Sequence, residues 1–159
     1  MNTSTIKVCS FFGHRETTLE VDEQLKPQLK EIIVNLIKNE NYQIFIFGGL
    51  GDFDNLCHQV VTELKNEYPF ISRWFCLYDP RHEYNEKKRP YYVNYDNFEE
   101  IKYLYLHYDN WYDRIYYRNV EIMNMSDFII FYAENRKGSG AYKAVKHAIR
   151  KKIKHINLF

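Results

Sequence analysis

The chain has 159 residues, enough for about one domain with a full hydrophobic core, and its 22 basic and 21 acidic side chains leave a formal net charge of +1. That balance gives no global field toward nucleic acid or an anionic membrane, and no run approaches the roughly 20 apolar residues that span a bilayer. Cys9, Cys57 and Cys76 are widely spaced with no CxxC pair, and the short polar start has no signal-peptide pattern, which points to buried free thiols in a cytoplasmic protein.

In chain order, residues 6–12 (IKVCSFF) read as a first strand stopped by Gly13. His14 and Arg15 follow, a pair placed to meet an anion at the strand's carboxyl end, or else a solvated surface turn. Residues 22–39 carry Leu25, Leu29, Ile32, Ile33, Leu36 and Ile37 at helical spacing, with Pro27 near the first turn.

Residues 43–64 (QIFIFGGLGDFDNLCHQVVTEL) form the unit around which the rest is organised. An apolar run, 44–47, suits a strand covered on both faces. It breaks into Gly48, Gly49 and Gly51, after which Phe53, Leu56, Cys57, Val60, Val61 and Leu64 repeat as a helical stripe. Strand, glycine turn and helix in this order suit a nucleotide site, because glycines let a phosphate or ribose approach the backbone. Asp52 and Asp54 open the helix, where carboxylates cap N–H groups and match the helix dipole; one of them could instead hold a ribose hydroxyl or a water.

Residues 71–78 (ISRWFCLY) read as a third strand, and 81–110 as a charged, tyrosine-rich insert acting as a lid. Its Lys87, Lys88 and Arg89 could guide an anion, and Tyr91, Tyr92 or the later Trp111 could stack on a base. Residues 113–125 read as a helix carrying Arg114 and Arg118 four apart on one face, able to grip a phosphate or to pair with Asp113 and Glu121. After Ser126 and Asp127, residues 128–132 (FIIFY) are a further strand. The turn Lys137, Gly138, Ser139, Gly140 then enters a helix over 141–152, an anion cradle of free N–H groups beside a lysine. A short last strand covers 155–158.

Alternating strands and helices imply an α/β, Rossmann-like parallel sheet of about five strands with helices on both faces, a single domain over 1–159. Three turns, Gly13 to Arg15, Gly48 to Asp54 and Lys137 to Gly140, then converge on one crevice. His14, His58 and His82 belong to different elements, so no metal site is expected.

The order of SFFGHRE at 10–16, FGGLGDFD at 47–54, Arg118-Asn119, Ser126-Asp127 before an apolar strand, and the KGSGAYKAVKHAIRKKIKHINL ending resembles the SLOG superfamily, in particular its small stand-alone YpsA-like bacterial members. The resemblance implies a nucleotide or nucleotide-derived ligand, such as an ADP-ribose-type signal, and a homodimer, with no resident cofactor required. It implies ligand contacts from Gly13, His14, Arg15, Gly48, Gly49, Gly51, Asp52, Arg114, Arg118, Asn119, Ser126, Lys137, Gly138, Ser139 and Gly140. The related LOG phosphoribohydrolases carry a catalytic glutamate whose place falls near Ala144 here, so an enzyme would need Asp52, Asp54 or Glu134 as its acid. A binding module is therefore the leading expectation, an N-glycosidase the alternative and a protein-contact scaffold the third. Nucleic acid is expected to be an unlikely partner, because the chain has no basic excess.

Overall fold

The computed structural model describes residues 5–77, 94–104 and 110–159, and of Trp111 the backbone. The expected lid residues Lys87, Lys88, Arg89, Tyr91 and Tyr92 lie outside the described residues, as does the Trp111 ring. The described elements run β1 (Lys7–Gly13), α1 (Leu19–Glu40), β2 (Tyr42–Phe47), α2 (Asp52–Leu64), β3 (Ser72–Leu77), a 3-10 turn (Tyr95–Asn97), β4 (Glu100–Tyr103), α3 (Trp111–Asn124), β5 (Phe128–Tyr132), α4 (Gly140–Arg150) and β6 (His155–Asn157). All strand pairs are parallel, in the order β4-β3-β2-β1-β5-β6.

The strand order departs in both directions from β1, toward β2 on one side and β5 on the other, so the crevice of an open α/β sheet falls past the carboxyl ends of β1 and β5. Right-handed crossovers put α1 and α2 on one face and α3 and α4 on the other. Packing follows that division. Leu25, Leu29 and Ile33 of α1 and Phe53, Cys57 and Val61 of α2 share one core with Phe11, Phe45 and Phe47. Ile122 and Met123 of α3 and Ala144, Val145 and Ala148 of α4 share the other with Phe12, Ile46 and Phe131. Each fully buried Phe of these cores contributes roughly 1.5–3 kcal/mol.

The start of the first helix differs from the sequence reading. The first helix begins at Leu19, because the Thr18 side chain accepts the Val21 N–H and caps it, with Glu20 and Asp22 in the first turn. Pro27 therefore lies inside α1. Its ring is exposed, which leaves the carbonyl it deprives of a partner on the solvent side.

The sheet also has six strands rather than about five. The sixth, β4, lies within the expected lid and carries almost no hydrophobic pattern of its own. Its place is fixed by its neighbours: Phe98, just before it, packs on Phe75 at 5.3 Å and on His58 at 4.7 Å. Glu99 takes the Arg73 guanidinium with both oxygens and the Lys65 ammonium at 2.9 Å. Burial opposes ionisation of Glu99, but these cations overcome it and hold the carboxyl below its usual range. Among the described residues no helix is long and apolar enough to cross a membrane.

Candidate functional site

Past β1 the chain must turn away without colliding with α2, and Gly13 permits this. A Cβ there would lie 2.2 Å from Phe53 Cδ1, well inside contact distance. The turn is then stitched to β5. His14 N–H donates to the Tyr132 carbonyl, and His14 Nε2 accepts the Glu134 N–H at 2.9 Å. That bond needs an unprotonated Nε2, and burial with the nearby Arg136 lowers the His14 pKa, against the pull of Glu134. Tyr132 and Phe159 pack their rings on the imidazole at 5.0 and 5.5 Å.

The turn after β2 is occupied by the protein's own groups. Gly51 caps α2 at φ +102°, and a Cβ on it would meet the Arg15 Cα at 2.9 Å. The first N–H groups of α2 are given to the β1 loop, Asp52 N–H to Arg15 O and Phe53 N–H to His14 O. Asp52 Oδ2 accepts the Thr17 N–H at 2.9 Å. Asp54 is buried and accepts the Gly48 and Gly49 N–H groups at 3.3 and 2.9 Å. Burial pushes its carboxyl up to about 7, against those two N–H groups and Arg118. Arg118, also buried, donates to the Gly48 carbonyl at 2.7 Å and to Asn119 Oδ1 at 3.0 Å. A Cβ on Gly48 would lie 2.9 Å from Arg118 Nη2, so a larger residue here would push the guanidinium from its place.

The turn after β5 differs. Gly138 has φ +81°, yet a Cβ on it or on Gly140 would meet nothing within 4 Å. Ser139 caps α4, its Oγ accepting the Tyr142 N–H and its carbonyl the Lys143 N–H. The Gly140 and Ala141 N–H groups take no partner among the described residues. The first turns of α1, α2 and α3 each hold a carboxylate, whereas that of α4 holds none. No carboxylate of its own first turn therefore offsets its positive dipole end.

These loops rim a cleft of about 1160 Å³ between α3 and α4, somewhat larger than the roughly 300–1000 Å³ usual for small-ligand sites. Of the residues expected to bind or act, Gly13, His14, Arg15, Gly48, Asp54, Arg118, Asn119, Glu134, Gly138, Ser139 and Gly140 line it. The others do not. Gly49, Gly51 and Asp52 serve the closed turn just described, and Arg114 and the exposed Lys137 stand outside the wall. Ser126 lies before β5, away from the crevice, bonded to Ser10 Oγ at 2.7 Å and to the Ile122 carbonyl at 2.6 Å. Ala144, near the place of the LOG glutamate, is buried in the α3–α4 core, so that position faces the sheet. Among the described residues no three His, Cys, Asp or Glu side chains gather where a metal ion could be held.

The structure adds residues that the motifs did not single out: Tyr112, Tyr116 and Tyr117 on α3, and Lys143, Lys146, His147 and Arg150 on α4. The tyrosines stand exposed at the cleft, where a ring can stack on a base. The basic residues had a readable signal. After Glu134 the chain has eight Lys and Arg and no Asp or Glu, an asymmetry that the overall balance of charge conceals.

The sequence profile of the YpsA family, described as the YspA SLOG family, matches residues 9–158. No curated protein matches the chain significantly. Among solved structures, one from Helicobacter pylori, reported as revealing the single-stranded DNA binding mode of DNA processing protein A, superposes with a TM-score of 0.61 at 13% identity. The match covers 96% of this chain and 65% of that one, so the chain spans about two thirds of its length. The expectation that nucleic acid is an unlikely partner does not stand: a protein of this fold binds single-stranded DNA, and net charge is a poor guide when the basic residues are gathered in one segment.

Proposed function

The chain belongs to the YpsA SLOG family, and from that footing we propose that it is a nucleotide-binding module whose ligand lies in the cleft past β1 and β5. The observation that carries the reading is the start of α4. Among the described residues its first N–H groups take no partner and its glycines meet no neighbour, and it sits at the reversal of strand order, where such sheets bind ligands. A phosphate would rest on the Gly140 and Ala141 N–H groups, with Arg15 and Arg136 at the rim. A base would stack on the α3 tyrosines. An ADP-ribose-type signal has the two features this arrangement asks for, phosphate and base, and sensing or sequestration would be the output.

A hydrolytic reading needs an acid in reach of the ligand. Both Asp54 oxygens are engaged by backbone N–H groups and Asp52 braces Thr17, which leaves Glu134 as the exposed one of the three acids expected from the sequence, on a wall that Glu16 and Asp113 also line. Calorimetric titration with AMP, ADP, ATP and ADP-ribose, followed by chromatography of each mixture, tests both. Binding with every ligand recovered intact supports the module. Release of free base that stops in Glu134→Gln supports an N-glycosidase, and silence across the panel removes the nucleotide reading.

A second reading shares the cleft. The likeness to a protein that binds single-stranded DNA favours a strand whose nucleotide enters the same site, with α3 tyrosines for stacking and α4 cations for the backbone. Salt separates the two: strand binding should fall steeply between low and moderate salt, mononucleotide binding only mildly.

A further inference from the structure

One phosphate at the start of α4 leaves most of that helix's cleft side without a role. Lys143, Lys146, His147 and Arg150 recur at i, i+3, i+4 and i+7, and all four line the cleft. A solvated helix face ordinarily mixes signs, since like charges four apart repel. Here no carboxylate is interspersed, and the acid facing them from α3 is Asp113.

His147 supplies an independent observation. It is 5% exposed, and its Nδ1 lies 3.0 Å from Arg150 Nη2. A guanidinium can only donate, so Nδ1 accepts and the proton of the neutral ring is assigned to Nε2. Burial, Arg150 and Lys151 favour that neutral form by lowering the His147 pKa. Nε2 is buried and has no hydrogen-bond partner among the described residues. An unpaired buried donor costs about 1–3 kcal/mol, a cost that an acceptor oxygen would remove.

We propose that the cleft holds a second anion subsite at Lys146, His147 and Arg150, and that its ligand carries two phosphates separated by a nucleoside. The inference rests on the nucleotide reading of the same cleft. From Gly140 to His147 is seven residues, about 10 Å along the helix. Contiguous phosphates are more closely spaced than that, whereas the successive phosphates of a 5′-phosphorylated dinucleotide, free or at the end of a strand, are set further apart by the intervening sugar and match the two places better. The helix start would take one phosphate, and the imidazole N–H with the two flanking cations would take the other.

The test compares AMP, ADP and the 5′-phosphorylated dinucleotide pApA by calorimetry, with a single-stranded DNA of about twenty nucleotides as competitor. The dinucleotide should bind about tenfold or more tighter than either mononucleotide, the gain expected of one charge-assisted contact. That ratio should collapse toward one in His147→Phe and Arg150→Ala and fall severalfold in Lys146→Ala, an exposed position that leaves the core intact. His147→Gln, which keeps an N–H donor, should retain part of it. Displacement of pApA by the long strand assigns a strand end, and failure to displace it assigns a free oligonucleotide; either upholds the subsite. A ratio near one in the unmodified protein, or one unchanged in all the variants, overturns it while the nucleotide reading stands. Absence of binding by AMP and pApA alike removes both.

Discussion

The turns after β2 and β5 look alike in sequence, each a cluster of glycines between an apolar strand and an amphipathic helix, yet they are used in opposite ways. The first is filled by the protein. Asp54 takes the Gly48 and Gly49 N–H groups, Arg118 takes the Gly48 carbonyl, and the β1 loop takes the first donors of α2. The second is left open: among the described residues its first N–H groups take no partner and its glycines meet no neighbour. A glycine turn at the carboxyl edge of a sheet admits something close to the backbone; whether that is the chain itself or a ligand depends on what the neighbouring elements bring.

The contrast is sharpest in what an added methyl should do. Gly51→Ala forces an L side chain into φ +102° and against the Arg15 backbone, and Gly13→Ala drives a Cβ into the Phe53 ring. Each should lower unfolding free energy by about 3 kcal/mol, read from denaturant midpoints at constant m. Removing the arginine that plugs the first turn comes next. Arg118→Ala leaves the Gly48 carbonyl without its donor, removes the charge beside Asp54 and opens a buried gap, and should cost about 2–3 kcal/mol in the same assay. Gly138→Ala should cost about 1 kcal/mol, from φ +81° alone. Gly140→Ala, with neither strain nor contact, should stay within about 0.5 kcal/mol. A large loss at Gly140 would mean that the second turn is also a packed one.

Asp54 offers a measure of how closed the first turn is. Its folded-state pKa of about 7 lies above its ordinary 3.8, so the folded protein holds the proton more tightly than the unfolded chain. Its contribution to stability is then complete below about pH 4 and is lost as pH rises toward 7, with a slope of up to about 1.4 kcal/mol per pH unit. Asp54→Asn should flatten the pH 4–7 stability profile relative to the parent protein. An unchanged profile would mean that this carboxyl is solvated.

How much of this was legible in the sequence depended on how local each cause is. The helices and the five apolar strands announce themselves by period, because their own side chains make the cores. The edge strand β4 does not, since Phe98, Arg73 and Lys65 hold it from outside. Gly13, Arg15, Gly48 and the Gly138–Gly140 turn were readable as a converging rim, because strand ends in a parallel sheet share one edge. That Asp52 and Gly51 brace the β1 loop, and that Ser126 bonds Ser10, was not, since these are contacts between distant segments. The basic side of α4 was within reach, but a whole-chain charge average hid it.

The central claim is that the open turn is where a ligand binds, and the most direct measurement is titration of AMP and ADP-ribose into the parent protein and into Gly140→Glu. The variant places a carboxylate in empty space at the helix start, so it should melt close to the parent while losing affinity by about 100-fold through repulsion and blocked N–H groups. Equal affinity in the two proteins, with both folded, would contradict the account.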